Sequence, residues 1–151
     1  MKRKILFIIF LIILATIAAV LIKNKKENRV CFGKNCLEVE LATTAAETSR
    51  GLMFKKSLAP NKGMLFVFRK EGNYPFWMKN TLIPLDIIWI NENKKVVFIS
   101  GNTQPCQEES PCLLINPGKN AKYVLEINGG LAEKIGLTVG DKMNFSGFLV
   151  E

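Results

Sequence analysis

The sequence predicts a mainly β domain, α+β at the margin: a small, strongly curved sheet or partly closed barrel with two short helices, preceded by one N-terminal transmembrane helix. Three observations lead there. Short alternating or continuously apolar runs recur from residue 37 onward, separated by Gly, Pro and Asn turns. Residues 5–22 form the one long apolar run, with Lys2, Arg3 and Lys4 before it and Lys23, Lys25 and Lys26 after it. Residues 76–90, FWMKNTLIPLDIIWI, gather two tryptophans and eight other large apolar side chains around a single aspartate, the composition of a structural centre.

The N-terminal part divides into a basic flank (1–4), a transmembrane anchor or uncleaved signal (5–22) and a charged linker (23–29). About 18 apolar residues just span a hydrocarbon core as a helix. A cleaved signal peptide would end in a small-x-small site. Here Ala15, Ala18 and Ala19 lie inside the run, which closes on Leu21, Ile22 and Lys23. An uncleaved single-pass anchor is therefore expected, with secretion after cleavage as the alternative. Basic residues on both flanks leave the orientation open.

Residues 30–151 make one globular domain, roughly 120 residues, long enough for one core. Charge is distributed unevenly. Of 21 Lys/Arg, seven fall in residues 1–29 against one acid, Glu27, leaving 14 basic and 12 acidic residues beyond. A balance of +2 on the domain argues against nucleic acid as a partner, and the basic cluster reads as the flank of a membrane segment. The partners expected are the membrane, through residues 5–22, and an unidentified envelope component or protein.

Along the domain, Cys31 and Cys36 bracket turn formers Gly33 and Asn35, which predicts a short hairpin leading into a strand over residues 37–41. Thr44 followed by Glu47 has capping-box spacing for a helix over residues 45–53, weakened at its end by Gly51. Residues 64–68 read as a buried strand. Residues 85–90 and 96–99 read as a hairpin about the turn 91–94. A long loop is expected over 101–112, a strand over 123–127, a short helix near 131–135, and a last strand over 142–149.

The four cysteines form two local pairs, Cys31/Cys36 and Cys106/Cys112. Each pair encloses turn residues, so local disulfides in an oxidising compartment are the expectation, with the domain outside the cytoplasm. A four-thiolate metal site and free thiols are the alternatives, although both spacings sit at or beyond the usual zinc range. Histidine is absent, which removes His-based nucleophile activation and the commonest transition-metal ligand. Met53, Met64, Met78 and Met143 lie in apolar segments and read as core rather than copper ligands. No metal and no cofactor is expected. Asn144-Phe145-Ser146 matches a glycosylation sequon, too loose a pattern to carry weight.

Six runs occur in order: RGLM (50–53), GMLFVF (63–68), FWMKNT (76–81), IPLD (83–86), YVLE (123–126) and GD (140–141). Together they resemble the uncharacterised family called domain of unknown function 192, over residues 37–143. The resemblance implies a compact, mainly β domain, commonly secreted or membrane-anchored. It fits a local cysteine pair before the YVLE strand. It implies no substrate, reaction or cofactor.

Candidate functional residues are polar groups set in these apolar runs: Arg50, Lys79, Asn80, Asp86 and Glu126, with Trp77 as an aromatic wall. Thr81 and Asp141 belong to the same class, Asp141 reading chiefly as a turn residue. On an inward face, Asp86 needs partners, which Arg50 or Lys79 can supply. The structural alternative has Asp86 and Asn80 holding the connection over 79–84 by backbone hydrogen bonds. Glu126, between Leu125 and Ile127, points opposite to both and reads as solvent-facing. The expectation is a binding or interaction module of the cell envelope. A hydrolase-like enzyme using Asp86 with Lys79 or Arg50 is the alternative, and a glycosidase pairing Asp86 with Glu126 is weaker still.

Overall fold

The computed structural model describes residues 2–23, 27–106 and 111–147. Its elements are α1 (Lys2–Lys23), β1 (Arg29–Phe32), β2 (Asn35–Ala42), α2 (Ala45–Arg50), β3 (Lys62–Gly72), β4 (Leu85–Ile90), β5 (Val96–Thr103), β6 (Ala121–Asn128), α3 (Leu131–Lys134) and β7 (Asn144–Ser146). The seven strands form one mixed sheet in the order β5-β4-β6-β3-β2-β1-β7. The sheet is open, with β5 and β7 at its edges, where the sequence also allowed a partly closed barrel. An isolated bridge between Lys95 and Lys142 brings the segment before β7 alongside the start of β5 without making a continuous ladder.

Pairing is antiparallel except between β2 and β3, where Glu38 lies opposite Lys62 and Ala42 opposite Phe66. Parallel neighbours require a crossover, and residues 43–61 supply it with α2 inside. The helix starts as the Thr44/Glu47 spacing predicts, with a complete capping box, and ends at Arg50. It does not continue to residue 53, because Gly51 leaves helical geometry at φ 48°. Likewise β5 runs on to Thr103, shortening the expected loop, of which residues 107–110 lie outside the described residues. The expected last strand is only β7; residues 148 and 149 also lie outside the described residues, as do 24–26 of the linker.

Strand β4 explains the density of residues 76–90. All six of its residues are buried, because β5 and β6 flank it and both faces are covered. A strand covered on both faces reads as a continuous apolar run. One face carries Leu65, Ile88, Ile90, Leu125 and Ile127 under Ala132, Leu137 and Met143. The other carries Phe66, Ile87, Trp89 and Val124 under Leu52 and Met78. Trp89 sits edge-on to Phe76 and Phe98 and donates Nε1–H to the Tyr74 carbonyl at 2.7 Å, so its one polar atom is satisfied.

Cys31 and Cys36 lie directly opposite each other in the β1–β2 hairpin and are disulfide-bonded. Cys106 and Cys112 form the second disulfide. With all four sulfurs paired, the four-thiolate site and the free thiols fall away.

Helix α1 is 22 residues long, and its side chains are described at residues 3–14 and 16. Among the described residues no helix is long and apolar enough to cross a membrane.

Candidate functional site

The candidate residues do not form one cluster. Asp86 lies opposite Ile127 and Ile87 opposite Glu126, so the two acids belong to opposite faces of the sheet. The glycosidase pairing would need them on one face.

Asp86 is fully buried and acts on the backbone. Its Oδ1 accepts from the N–H groups of Asn102 (2.6 Å) and Gly130 (2.8 Å), and its Oδ2 accepts from Ala132 N–H (2.6 Å). Three backbone donors stabilise a carboxylate without burying a counter-ion, so neither Arg50 nor Lys79 is its partner. The aspartate joins the end of β5 and the start of α3 to the central strand. A cavity of about 390 Å³ lies beside it, lined also by Ile99, Asn102 and Leu137. The 79–84 connection is held differently, by Phe54 N–H to Asn80 O (2.8 Å), Thr81 N–H to Met78 O (3.2 Å) and Gly129 N–H to Pro84 O (3.0 Å). Asn80 adopts φ 56° there, in the left-handed region that asparagine tolerates. Asp141 takes the turn role, accepting from Thr138 N–H and Oγ1–H at 2.7 and 2.9 Å.

The other face holds Glu126, which does point opposite to Leu125 and Ile127. That side is covered by the chain after α2 and by residues 76–81, leaving Glu126 only 5% exposed. Its Oε2 has no hydrogen-bond partner. Burial pushes its carboxyl up to about 8, opposed only by the Leu52 backbone N–H, which donates to the carboxylate. At neutral pH the group is therefore mostly a neutral acid with an O–H to donate.

Glu126 lines a narrow cleft of about 30 Å³. Arg50 and Trp77 lie along it, as do Thr48, Ser49, Thr81, Phe66 and Phe76. Arg50 is exposed. Trp77 is 42% exposed, an unusual position for the ring, and carries the Lys79 ammonium 5.2 Å from its centroid. Gly51 is needed here twice over. Besides its positive φ, a Cβ at this position would stand 3.1 Å from Phe66 Cζ and 3.4 Å from Glu126 Oε2. Of the sequence candidates, Arg50, Trp77 and Glu126 thus come together; Lys79 reaches them through the Trp77 ring, Asn80 contacts Met53 Sδ at 3.9 Å, and Asp86 is elsewhere. In the sequence Leu52 and Phe66 stand out only as members of apolar runs, and Gly51 only as the weak end of a helix. Among the described residues no cluster of three His, Cys, Asp or Glu side chains is placed to hold a metal ion.

Comparison with known proteins gives the family and the fold. The DUF192 profile, described as "Uncharacterized ACR", matches residues 27–145. The chain belongs to the DUF192 family. It is similar to a UPF0127 protein of Pyrococcus furiosus, 27% identical over 115 residues, covering 73% of this chain and 88% of that one. Two solved structures share its fold. One, from Sinorhizobium meliloti and described as a candidate transcription regulator, is 32% identical with a TM-score of 0.72, covering 81% of this chain and 94% of the other. The second, a protein of unknown function from Novosphingobium aromaticivorans, is 37% identical with a TM-score of 0.67, covering 78% and 83%. Within this DUF192 domain, four of the six runs noted above converge on the cleft: RGLM supplies Arg50 to Met53, GMLFVF supplies Phe66, FWMKNT supplies Phe76, Trp77 and Thr81, and YVLE supplies Glu126.

Proposed function

We propose that the chain is a membrane-anchored, extracytoplasmic binding module of the cell envelope, whose site is the cleft over Glu126. The observation that carries this reading is the buried carboxyl with an unpartnered oxygen, at a cleft to which four family runs contribute. Burying a polar oxygen without a partner is costly. A bound group that satisfies it gives the cost a purpose. The half-exposed Trp77 offers an apolar face at the rim, and Arg50 a charge.

Anchoring is inferred from the sequence, in which residues 5–22 form an apolar run flanked by basic residues. The two disulfides support placing the domain outside the cytoplasm. The regulatory description of the Sinorhizobium protein is not carried over, because the domain's charge is nearly balanced.

The hydrolase reading centred on Asp86 loses ground, since its oxygens are engaged by three backbone donors. One observation favours moving it to Glu126: its buried carboxyl, which burial pushes up to about 8, has an unpartnered oxygen at the cleft, as a proton-transfer group would.

The binding reading is tested by a photo-crosslinking residue in place of Trp77, in cells producing the full chain. A discrete adduct that disappears with Glu126→Gln is expected. The same adduct from a crosslinker at the exposed Lys142, or none from position 77, would refute the site. Alkaline carbonate extraction should leave the chain in the membrane pellet; release into the supernatant would refute the anchor.

A further inference from the structure

The Glu126 cleft has one polar atom in need of a partner, Oε2, and one cation, Arg50. Each restricts the ligand. Around the carboxyl, β3 contributes Met64 and Phe66, β4 contributes Ile87 and Trp89, and the 76–81 segment contributes Trp77 and Thr81. None of these is charged; Lys79, in the same segment, has its ammonium over the Trp77 ring. The α2 side contributes Arg50 as its charge at the cleft. In such surroundings an isolated carboxylate is disfavoured, so the group is held as the neutral acid. A neutral acid whose O–H lacks an acceptor calls for a ligand oxygen rather than a ligand N–H. The guanidinium calls for that oxygen to be anionic.

The cleft itself is too small for a whole ligand, but it adjoins a groove of about 400 Å³ that shares Arg50, Gly51 and Met53 with it. In that groove Glu40 is paired with Lys55 at 2.8 Å. Glu47 is also committed, accepting from the Thr43 and Thr44 N–H groups at 2.9 Å each. Neither acid is left unpaired to oppose an anion. Gly51 stands where groove and cleft meet, packed so closely that a Cβ there would come within 3.4 Å of Oε2.

The geometry points to a carboxylate-bearing small ligand, its carboxylate seated between the Glu126 carboxyl and Arg50 and its body lying over Gly51 in the groove. The inference rests on the cleft being the binding site, and it adds the chemical class. Glu126 Oε2–H donates to one ligand oxygen, forming an acid–carboxylate hydrogen bond, while the guanidinium donates to the carboxylate from the mouth. The proton stays with the pair. Binding therefore requires the protonated form of Glu126 and weakens as pH rises through its titration. An ammonium ligand would do the reverse, binding the ionised form.

The test is the titration of Glu126 followed by NMR of the full chain in detergent micelles, with ¹³Cδ-labelled glutamate. The resonance is assigned by its loss in Glu126→Gln and by its midpoint near 8, which does not depend on the variant folding. The probes are sodium acetate, methylammonium chloride and acetamide. Acetate at ten times its dissociation constant should raise the midpoint by about one pH unit, by linkage. Arg50→Ala, at an exposed position, should weaken acetate binding about tenfold. If methylammonium lowers the midpoint and acetate leaves it alone, the carboxylate class is overturned while the cleft stands as a site. If acetamide matches acetate, or Arg50→Ala binds acetate as wild type does, the anionic requirement is overturned. If no probe moves the midpoint, both the class and the cleft are overturned.

Discussion

Two buried acids on neighbouring strands show how environment sets a residue's role. Asp86 receives three backbone N–H groups, so both its oxygens are satisfied where it stands. Replacing it with asparagine removes one acceptor and turns an amide donor toward backbone donors. Asp86→Asn should lose roughly 2–4 kcal/mol of stability, read as a lower midpoint in denaturant unfolding; a wild-type midpoint would remove its structural role. Glu126 receives one backbone donor and is pushed up to about 8 from 4.5. Its folded value is above the unfolded one, so folding favours the protonated form. The stability this gives is complete below about 4.5 and is lost as pH rises to about 8, on the order of 5 kcal/mol across that window. Thermal melts of Glu126→Gln should lack that part of the pH slope. A variant whose melting still falls in parallel with wild type from pH 5 to 8 would contradict the buried neutral acid. The opposite facing of Glu126 was legible from its neighbours Leu125 and Ile127; its burial was not, because what covers that face comes from residues 50–52 and 76–81, far away in the chain.

At the level of elements, α2 is the lever on the site. Six residues are too few for a helix to persist by propensity, so its geometry depends on the cap and on docking. The capping box satisfies its first N–H groups, and Gly51 turns the chain out of the helix so that Leu52 packs inward and Arg50 stays at the cleft mouth. Thr44→Ala should cost about 1 kcal/mol and weaken ligand binding by loosening Arg50. Urea unfolding and acetate titration of the same variant would check both, and an unchanged unfolding midpoint would contradict the cap. The box was legible because it is local, two residues three apart. The helix end was legible in kind, since Gly51 is where it stops. Lys79, Asn80 and Trp77 stand out in the sequence as candidates, but not as part of the wall of a cleft at Glu126, since nothing local says that Phe76 bridges to Ile115 and thereby holds Trp77 near Glu126.

Across the whole molecule, the two disulfides close short loops at separate places, one within the β1–β2 hairpin and the other beside the Trp89 face of the core. By loop closure each contributes roughly 2–3 kcal/mol. Protein taken from its native compartment under non-reducing alkylation should incorporate no label, and reduction should lower the unfolding midpoint. Four labelled cysteines in native protein would contradict the oxidised state and, with it, the argument for a domain outside the cytoplasm. The open sheet is also a property of the whole. Its middle is β6-β3-β2, with β6 paired to β4 although residues 91–120 separate them in the chain, and the parallel β2–β3 pair requires the α2 crossover.

The sequence by itself determined what neighbours along the chain decide: the strands and their turns, the cap of α2, the pairing of each cysteine with its near partner, the apolar N-terminal run, and the family runs. Tertiary structure alone decided that the sheet stays open, that Asp86 serves the backbone of β5 and α3, and that Arg50, Trp77 and Glu126 meet. Alternation along a strand says which side chains share a face. Only the pairing of distant strands says which face is covered, and by what, and that covering gives one acid three backbone donors and leaves an oxygen of the other without a partner.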